Sequence, residues 1–140
     1  MADWDGAAPG YGSWWPTFER ALRPILDEIV ALAGVAPGHR VLDAGTGVGE
    51  PAATAARKAG PGGTVIAVDS SAEMLDAARA RTAALGVDVT FLQGDAATMP
   101  LPGPFDAVLA SYSLMFLPDL PAALRRFCAA LRPGGSCVAS

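Results

Sequence analysis

The sequence predicts an open, doubly wound α/β fold with a mostly parallel sheet, and three observations carry that prediction. Short, near-continuously apolar runs recur from Arg40 onward, helical patterns separate them, and a glycine cluster directly follows the first run. Apolar runs without alternation mark strands covered on both faces. Strands alternating with helices imply right-handed crossovers within one sheet, so ligands are expected beyond the carboxyl ends of the strands, where the strand order reverses.

Size and composition agree with one such unit. The chain has 140 residues, inside the range of about 100 to 200 that makes one domain. Hydrophobic residues make up 51% and charged residues 17%, which is too much apolar surface to stay unfolded. A net charge of -4 provides no basic surface to neutralise a phosphate backbone, so nucleic acid is not an expected partner. Met1 to Gly12 has neither the basic start nor the apolar run of a signal peptide. No stretch reaches the roughly 18 apolar residues of a membrane span. Two cysteines, Cys128 and Cys137, are too few for a disulfide framework, so the cytoplasm is the expected compartment.

Taken in order, residues 1–36 read as an N-terminal arm and helix and residues 37–140 as the α/β domain. Trp4, Tyr11, Trp14 and Trp15 lie among Gly, Ala and Pro without helical period and suggest an arm or lid. Phe18, Leu22, Ile25, Ile29 and Leu32 then recur as one stripe of a helix, with Thr17 as N-cap, Gly34 as stop, and Pro24 as a kink or fresh start. Strands are expected at Val41 to Ala44, Val65 to Val68, Val89 to Leu92, Ala107 to Ala110 and Cys137 to Ala139. Between them, Pro51 to Ala59 forms an Ala-rich helix ending at Gly60. Ser71 to Leu85 carries Met74, Leu75, Ala78, Thr82 and Leu85 on one face, with Ser70 and Glu73 at capping-box spacing and Gly86 as its stop. The last helix opens at Asp119 with Pro121 in its first turn, buries Leu120, Leu124, Phe127 and Leu131, and ends at Pro133-Gly134-Gly135.

The chemistry-bearing residues gather at the expected strand ends. Gly45, Gly47 and Gly49 follow the first strand and allow a tight turn with close ligand approach. The spacing misses the dinucleotide fingerprint by one residue, and Glu50 at the helix start would repel a pyrophosphate. No Gly-Lys-Ser/Thr follows, which excludes a P-loop. A nicotinamide-dependent dehydrogenase is therefore disfavoured. Asp69, at the end of the second strand, stands where such folds place an acid for ribose hydroxyls, or else caps the next helix. Asp95 would accept an exocyclic amine or act as a turn acid. The aromatic residues of the arm would form a lid or staple the first helix to the sheet; Ser113-Leu114-Met115-Phe116-Leu117 would form an acceptor wall or core. His39 precedes the first strand, the wrong end for catalysis, and reads as a loop residue.

These segments resemble a known family. Val41-Leu42-Asp43-Ala44-Gly45-Thr46-Gly47-Val48-Gly49 is similar to the first motif of the class I S-adenosylmethionine-dependent methyltransferases. Val65 to Leu75 resembles their ribose-binding segment, Phe91 to Ala96 their adenine-side segment, Phe105 to Leu109 their fourth strand, and Leu131 to Gly135 the turn before their fifth. Gly49-Glu50-Pro51-Ala52 and Ser113 to Phe116 look most like the ubiquinone/menaquinone-biosynthesis C-methyltransferase group.

The resemblance implies a Rossmann-like methyltransferase fold, with five strands in the order 3-2-1-4-5, and S-adenosyl-L-methionine as cofactor, leaving S-adenosyl-L-homocysteine as product. It implies that Asp43, Thr46 and the backbone of Gly45, Gly47 and Gly49 hold the methionine end. Asp69 would take the ribose hydroxyls beside Ser70 and Met74, Asp95 and Ala96 the adenine edge, and Ser111 would border the methyl group. The implied reaction is in-line transfer to a small, planar or apolar acceptor, resting on proximity, with no metal and no general base assigned. Family members continue through a sixth and seventh strand, whereas this chain ends at Ser140 in the fifth. A non-catalytic or truncated cofactor-binding module, with self-association through the fifth-strand edge, is the alternative expectation.

Overall fold

The structure is a computed structural model that describes residues 3–140. Its elements run α1 (Trp4–Leu32), β1 (Arg40–Ala44), α2 (Ala52–Ala59), β2 (Thr64–Asp69), α3 (Ala72–Leu85), β3 (Thr90–Gln93), β4 (Phe105–Ala110), a 3-10 turn at Leu114–Phe116, α4 (Leu120–Ala129) and β5 (Leu131–Ala139). The strands form one five-stranded sheet in the order β3-β2-β1-β4-β5. Every pairing is parallel. The predicted Rossmann-like order is thus the observed one.

The lack of alternation in the strands has its cause in two cores. Val41 of β1 packs with Val65, Ala67, Ala107 and Leu109 beneath Ile29 and Val30 of α1 and Ala52 and Ala55 of α2. Its neighbour Leu42 packs with Ile66, Val68, Phe105 and Val108 beneath Ala123 and Phe127 of α4. Successive strand residues point to opposite faces, so both must be apolar. Phe105, Phe127, Leu42 and Leu109 are among the largest fully buried side chains, and such burial stabilises by roughly 1.5 to 3 kcal/mol each.

The N-terminal reading needs correction. Trp4 to Leu32 is one helix that runs through Pro9, Pro16 and Pro24, capped by Asp3, whose carboxylate accepts from Gly6 N at 3.0 Å. Thr17 therefore caps nothing, and Pro24 does not restart the helix. Its inward stripe is Trp4, Ala8, Tyr11, Trp15, Leu22 and Leu26, while Phe18, Ile25 and Leu32 are exposed. An interior proline costs about 3 kcal/mol of helix stability, so packing rather than propensity holds the first half of α1.

Two smaller corrections concern element ends. Ser71, not Ser70, caps α3, accepting from Met74 N at 3.1 Å. The helix then stops as expected at Gly86, which is left-handed. Asp119 caps α4 as predicted, accepting from Ala122 N at 2.9 Å, but α4 ends at Ala129 and Leu131 already belongs to β5. Phe105 pairs with Leu131 and Ala107 with Ser136, so Pro133-Gly134-Gly135 is a bulge within the strand and not a turn before it. Among the described residues, no helix is long and apolar enough to cross a membrane.

Candidate functional site

A cavity of about 420 Å³ opens beyond the carboxyl ends of β1, β2, β3 and β4, at the switch point between β1 and β4. Ala44 to Val48 line it, followed by Asp69, Ser70 and Met74 on one side and Gly94, Asp95 and Ala96 further along. Ser111 to Leu114 form the wall from β4, and Trp4, Tyr11 and Trp15 of α1 also face it.

The loop after β1 is tied to β2. Gly45 N and Thr46 N donate to Val68 O at 2.8 and 3.0 Å, and Gly47 N donates to Asp69 Oδ2 at 2.8 Å. The other oxygen of Asp69 accepts from Ser71 N at 3.0 Å. Asp69 is thus both the strand-end acid and a brace for two backbone turns. A carboxylate offers about four lone-pair sites, which leaves capacity for ligand hydroxyls.

The three glycines serve different purposes. A Cβ on Gly47 would meet nothing within 4 Å, so the loop is open on that side, and its φ is +54°. A Cβ on Gly45 would stand 2.5 Å from Ser113 Cβ, and one on Gly49 would stand 3.3 Å from Ala78 Cβ. Gly49 allows α3 to approach, and it does not line the cavity.

Asp43 does not line it either. Its carboxyl is completely buried, with Oδ2 accepting from Ala52 N at 3.0 Å. Oδ1 and the neighbouring Thr46 Oγ1 are buried without a well-formed hydrogen bond. Burial lifts the carboxyl from 3.8 to about 7, against the pull of Thr46 and the Ala52 amide; the negative charges of Glu50 and Asp69 add to the rise. Asp43 therefore positions the loop and the start of α2 from behind. Gly45, Thr46 and Gly47, by contrast, line the cavity.

Glu50 is the residue whose role sequence reasoning missed. Its side chain is fully buried, and Oε1 accepts from Arg23 at 3.2 Å and Arg81 at 2.9 Å. Oε2 accepts from Thr54 N at 3.1 Å and Thr54 Oγ1 at 2.8 Å. Glu19 joins both arginines. Burial works against the Glu19 charge, yet Arg81 and Arg23 hold its pKa below the ordinary value. The charge of Glu50 is spent within this cluster, which fastens α1 and α3 to the start of α2, so repulsion of a phosphate by Glu50 is a weaker argument than the glycine spacing. The spacing of Glu50 and Thr54 was visible in sequence; the arginine partners were not.

The remaining expectations divide. Trp15 is 7% exposed and Trp14 is 63% exposed; Trp15 lines the cavity, stacks with Tyr11 at 5.9 Å and lies under Arg81 at 5.4 Å. The start of α1 is fastened over the site by Asp5 Oδ1, which accepts from Ser71 Oγ at 2.6 Å, and by Trp4, edge-on to Phe116 at 5.0 Å. The aromatic residues of the arm thus staple α1 to the sheet and line the cavity at the same time. Leu114 and Leu117 both line the cavity and pack on the α4 face of the sheet, whereas Met115 is exposed. Asp95 lines the cavity and also caps its own turn, accepting from Ala97 N at 2.8 Å. Ser111 Oγ lies 3.2 Å from Ser140 Oγ. His39 is a loop brace whose Nδ1 accepts from Ala36 N at 3.2 Å.

Sheet order, glycine loop, strand-end acid and the cavity at the switch point define the α/β fold of the class I methyltransferases. Residues 41–135 match the family described as a methyltransferase domain, and the chain belongs to that family. It is 39% identical to a nocamycin O-methyltransferase of Saccharothrix syringae over 81% of this chain and 41% of that protein. It is also 39% identical to the ubiquinone/menaquinone biosynthesis C-methyltransferase UbiE of Pasteurella multocida, over 74% of this chain and 40% of that one. The chain thus spans less than half the length of these relatives. Among solved structures it is similar to a SAM-dependent methyltransferase of Geobacter sulfurreducens in complex with S-adenosyl-L-homocysteine. That similarity is 30% in sequence, with a TM-score of 0.67, covering 79% of this chain and 44% of the other.

Proposed function

We propose that this chain supplies the S-adenosyl-L-methionine site of a methyltransferase that acts on a small, planar or apolar acceptor by in-line transfer. The observation that carries the reading is the pairing of Gly47 N with Asp69 Oδ2 at the cavity floor. It sets an open glycine turn beside a carboxylate with unused lone pairs, and the solved relative in complex with S-adenosyl-L-homocysteine supports the same ligand.

The residues fit the group. The backbone of Gly45 to Val48 would hold the methionine end, and Asp69 the ribose hydroxyls. Ser70 and Met74 would flank the adenosine, Asp95 and Ala96 would meet the adenine edge, and Ser111 would border the methyl group. Acids near a sulfonium favour it electrostatically. When bound, the cofactor supplies an already activated methyl group, so the protein's part is to exclude water and hold the acceptor in line. The aromatic residues of α1 and the wall after β4 suit a planar acceptor. Two free cysteines, Cys128 and Cys137, suit a reducing compartment such as the cytoplasm. β5 lies at a sheet edge, which offers a row of backbone groups to another strand or a second chain; light scattering over a concentration series tests that self-association.

Calorimetric titration with S-adenosyl-L-homocysteine and with NAD tests the cofactor. Binding of the first and not the second is expected, and the reverse would reject the reading. Labelled S-adenosyl-L-methionine with a panel of quinols and phenols then tests transfer. Tight cofactor binding without transfer to any acceptor would instead identify a binding module.

A further inference from the structure

Tyr112 lies two residues past the end of β4, and among the described residues it is the non-glycine position with positive φ, at +51°. A left-handed backbone is disfavoured for a bulky L residue, and strain of this kind collects where a fold holds a group for use. The conformation is held from both sides. Tyr112 N donates to Ser140 O at 3.1 Å, Ser140 N donates to Ala110 O at 3.1 Å, and Ser113 Oγ is fastened to Ala44 O at 2.8 Å.

Bent in this way, Tyr112 lines the cavity together with Tyr11 of α1. Burial, and the nearby Tyr112 phenol, hold the Tyr11 hydroxyl above its ordinary pKa of 10.0. Tyr11 therefore keeps its proton throughout the neutral range and stays a hydrogen-bond donor. The neighbouring lining is aromatic, with Tyr11 stacked on Trp15 and Trp4 edge-on to Phe116. Flat apolar walls with a few convergent polar groups select planar ligands and fix their orientation.

We propose that Tyr11 and Tyr112 form a paired-phenol subsite that hydrogen-bonds an oxygen of the methyl acceptor, making Tyr112 a specificity-determining residue for planar, oxygen-bearing compounds. The inference rests on the reading of this cavity as the cofactor and acceptor site. Asp69 and Asp95 also line it, which favours an uncharged acceptor over an anionic one. A site built around hydrogen-bonding groups discriminates strongly against an analogue that lacks the partner atom.

The test compares 2-naphthol with 2-methylnaphthalene, flat molecules of similar shape that differ in the oxygen. Each is titrated by quenching of tryptophan fluorescence into the wild-type chain, Tyr112→Phe and Tyr11→Phe, with and without S-adenosyl-L-homocysteine. The wild type should prefer the naphthol by about tenfold, the effect of roughly one hydrogen bond. Tyr112→Phe should cut that preference to within about twofold while binding of methylnaphthalene and S-adenosyl-L-homocysteine is unchanged. Equal binding of the two probes by the wild type, or a preference that survives in Tyr112→Phe, would overturn the proposal. Tyr112→Asn probes the strain, since Asn tolerates the left-handed region: an unchanged or higher Tm with lost preference supports the proposal, and a retained preference overturns it. If Tyr112→Asn does not fold, the Phe variants decide alone, because they leave the backbone requirement as it is. A wild type that ignores S-adenosyl-L-homocysteine yet prefers the naphthol would sink the cofactor reading and leave the phenol pair as a subsite for planar, oxygen-bearing ligands other than a methyl acceptor.

Discussion

Gly45 and Ser113 occupy what would otherwise be the same space: a Cβ on Gly45 would stand 2.5 Å from the Cβ of Ser113 and 3.0 Å from its Oγ. The segment after β4 crosses the end of β1 there, and Ser113 Oγ donates to Ala44 O at 2.8 Å. The first glycine of the motif is thus required by a neighbouring strand's loop, and the same crossing sets Tyr112 in the cavity wall.

Gly45→Ala should therefore destabilise the chain. Overpacking costs about 1 to 3 kcal/mol, and the φ of +78° adds about 1 to 2 kcal/mol for an L side chain. Ser113→Gly in the same chain should restore the overpacking part and leave the backbone part. Urea unfolding of the two single variants and the double variant checks this, and strictly additive losses would show that the two residues do not compete for space.

Gly47→Val should behave differently, since a Cβ there meets nothing within 4 Å. Stability should fall only by the backbone cost of about 1 to 2 kcal/mol for a φ in the left-handed region. Affinity for S-adenosyl-L-homocysteine should drop about tenfold or more, because the branched side chain projects into the open side of the loop. Calorimetry well below the melting temperature separates the two effects, and undiminished binding would place the ligand elsewhere.

Asp69→Ala should weaken binding of the same ligand by about 2 to 3 kcal/mol, the range for hydrogen bonds to a charged group. Asp69 also accepts from Gly47 N and Ser71 N. Removing it leaves those donors without their partner and should cost about 1 to 3 kcal/mol of stability as well. Unfolding and binding measured on one preparation test both, and a variant with wild-type affinity would remove Asp69 from the site.

The parts of the molecule legible in sequence were those fixed by local pattern. The apolar runs gave the sheet because β1 is buried on both faces, and Gly86 and Asp119 marked helix ends by their own backbone chemistry. The first half of α1 was not legible. Gly6, Pro9, Gly10 and Gly12 argue against a helix, and what holds it lies far along the chain, at Ser71, Arg81 and Phe116. The stripe of Trp4, Ala8, Tyr11 and Trp15 was the available signal. Of the acids and glycines expected at the candidate site, Asp69, Asp95, Gly45 and Gly47 line the cavity, whereas Asp43 and Gly49 lie behind it. Their distance from the cavity depends on how α2 and α3 close against the loop, which no local spacing encodes.

Asp43 also predicts how stability depends on pH. Its folded pKa of about 7 lies above the ordinary 3.8, so between those values the folded state binds the proton that the unfolded state has lost. Stability contributed by protonated Asp43 is then complete below about pH 4 and is lost progressively as pH rises to about 7; above that both states are ionised and the loss is constant. A shift of this size corresponds to about 4 kcal/mol. Asp43→Asn keeps an acceptor for Ala52 N, offers an N–H to the unpartnered Thr46 Oγ1, and cannot titrate. Its unfolding free energy should therefore gain on the wild type steadily from about pH 4 to about pH 7 and run parallel beyond. Denaturant unfolding of both chains across that range measures the difference directly. If the two curves stay parallel from about pH 4 upward, Asp43 is ionised in the folded protein throughout, and the loop would then rest on a buried charge instead of a neutral carboxyl.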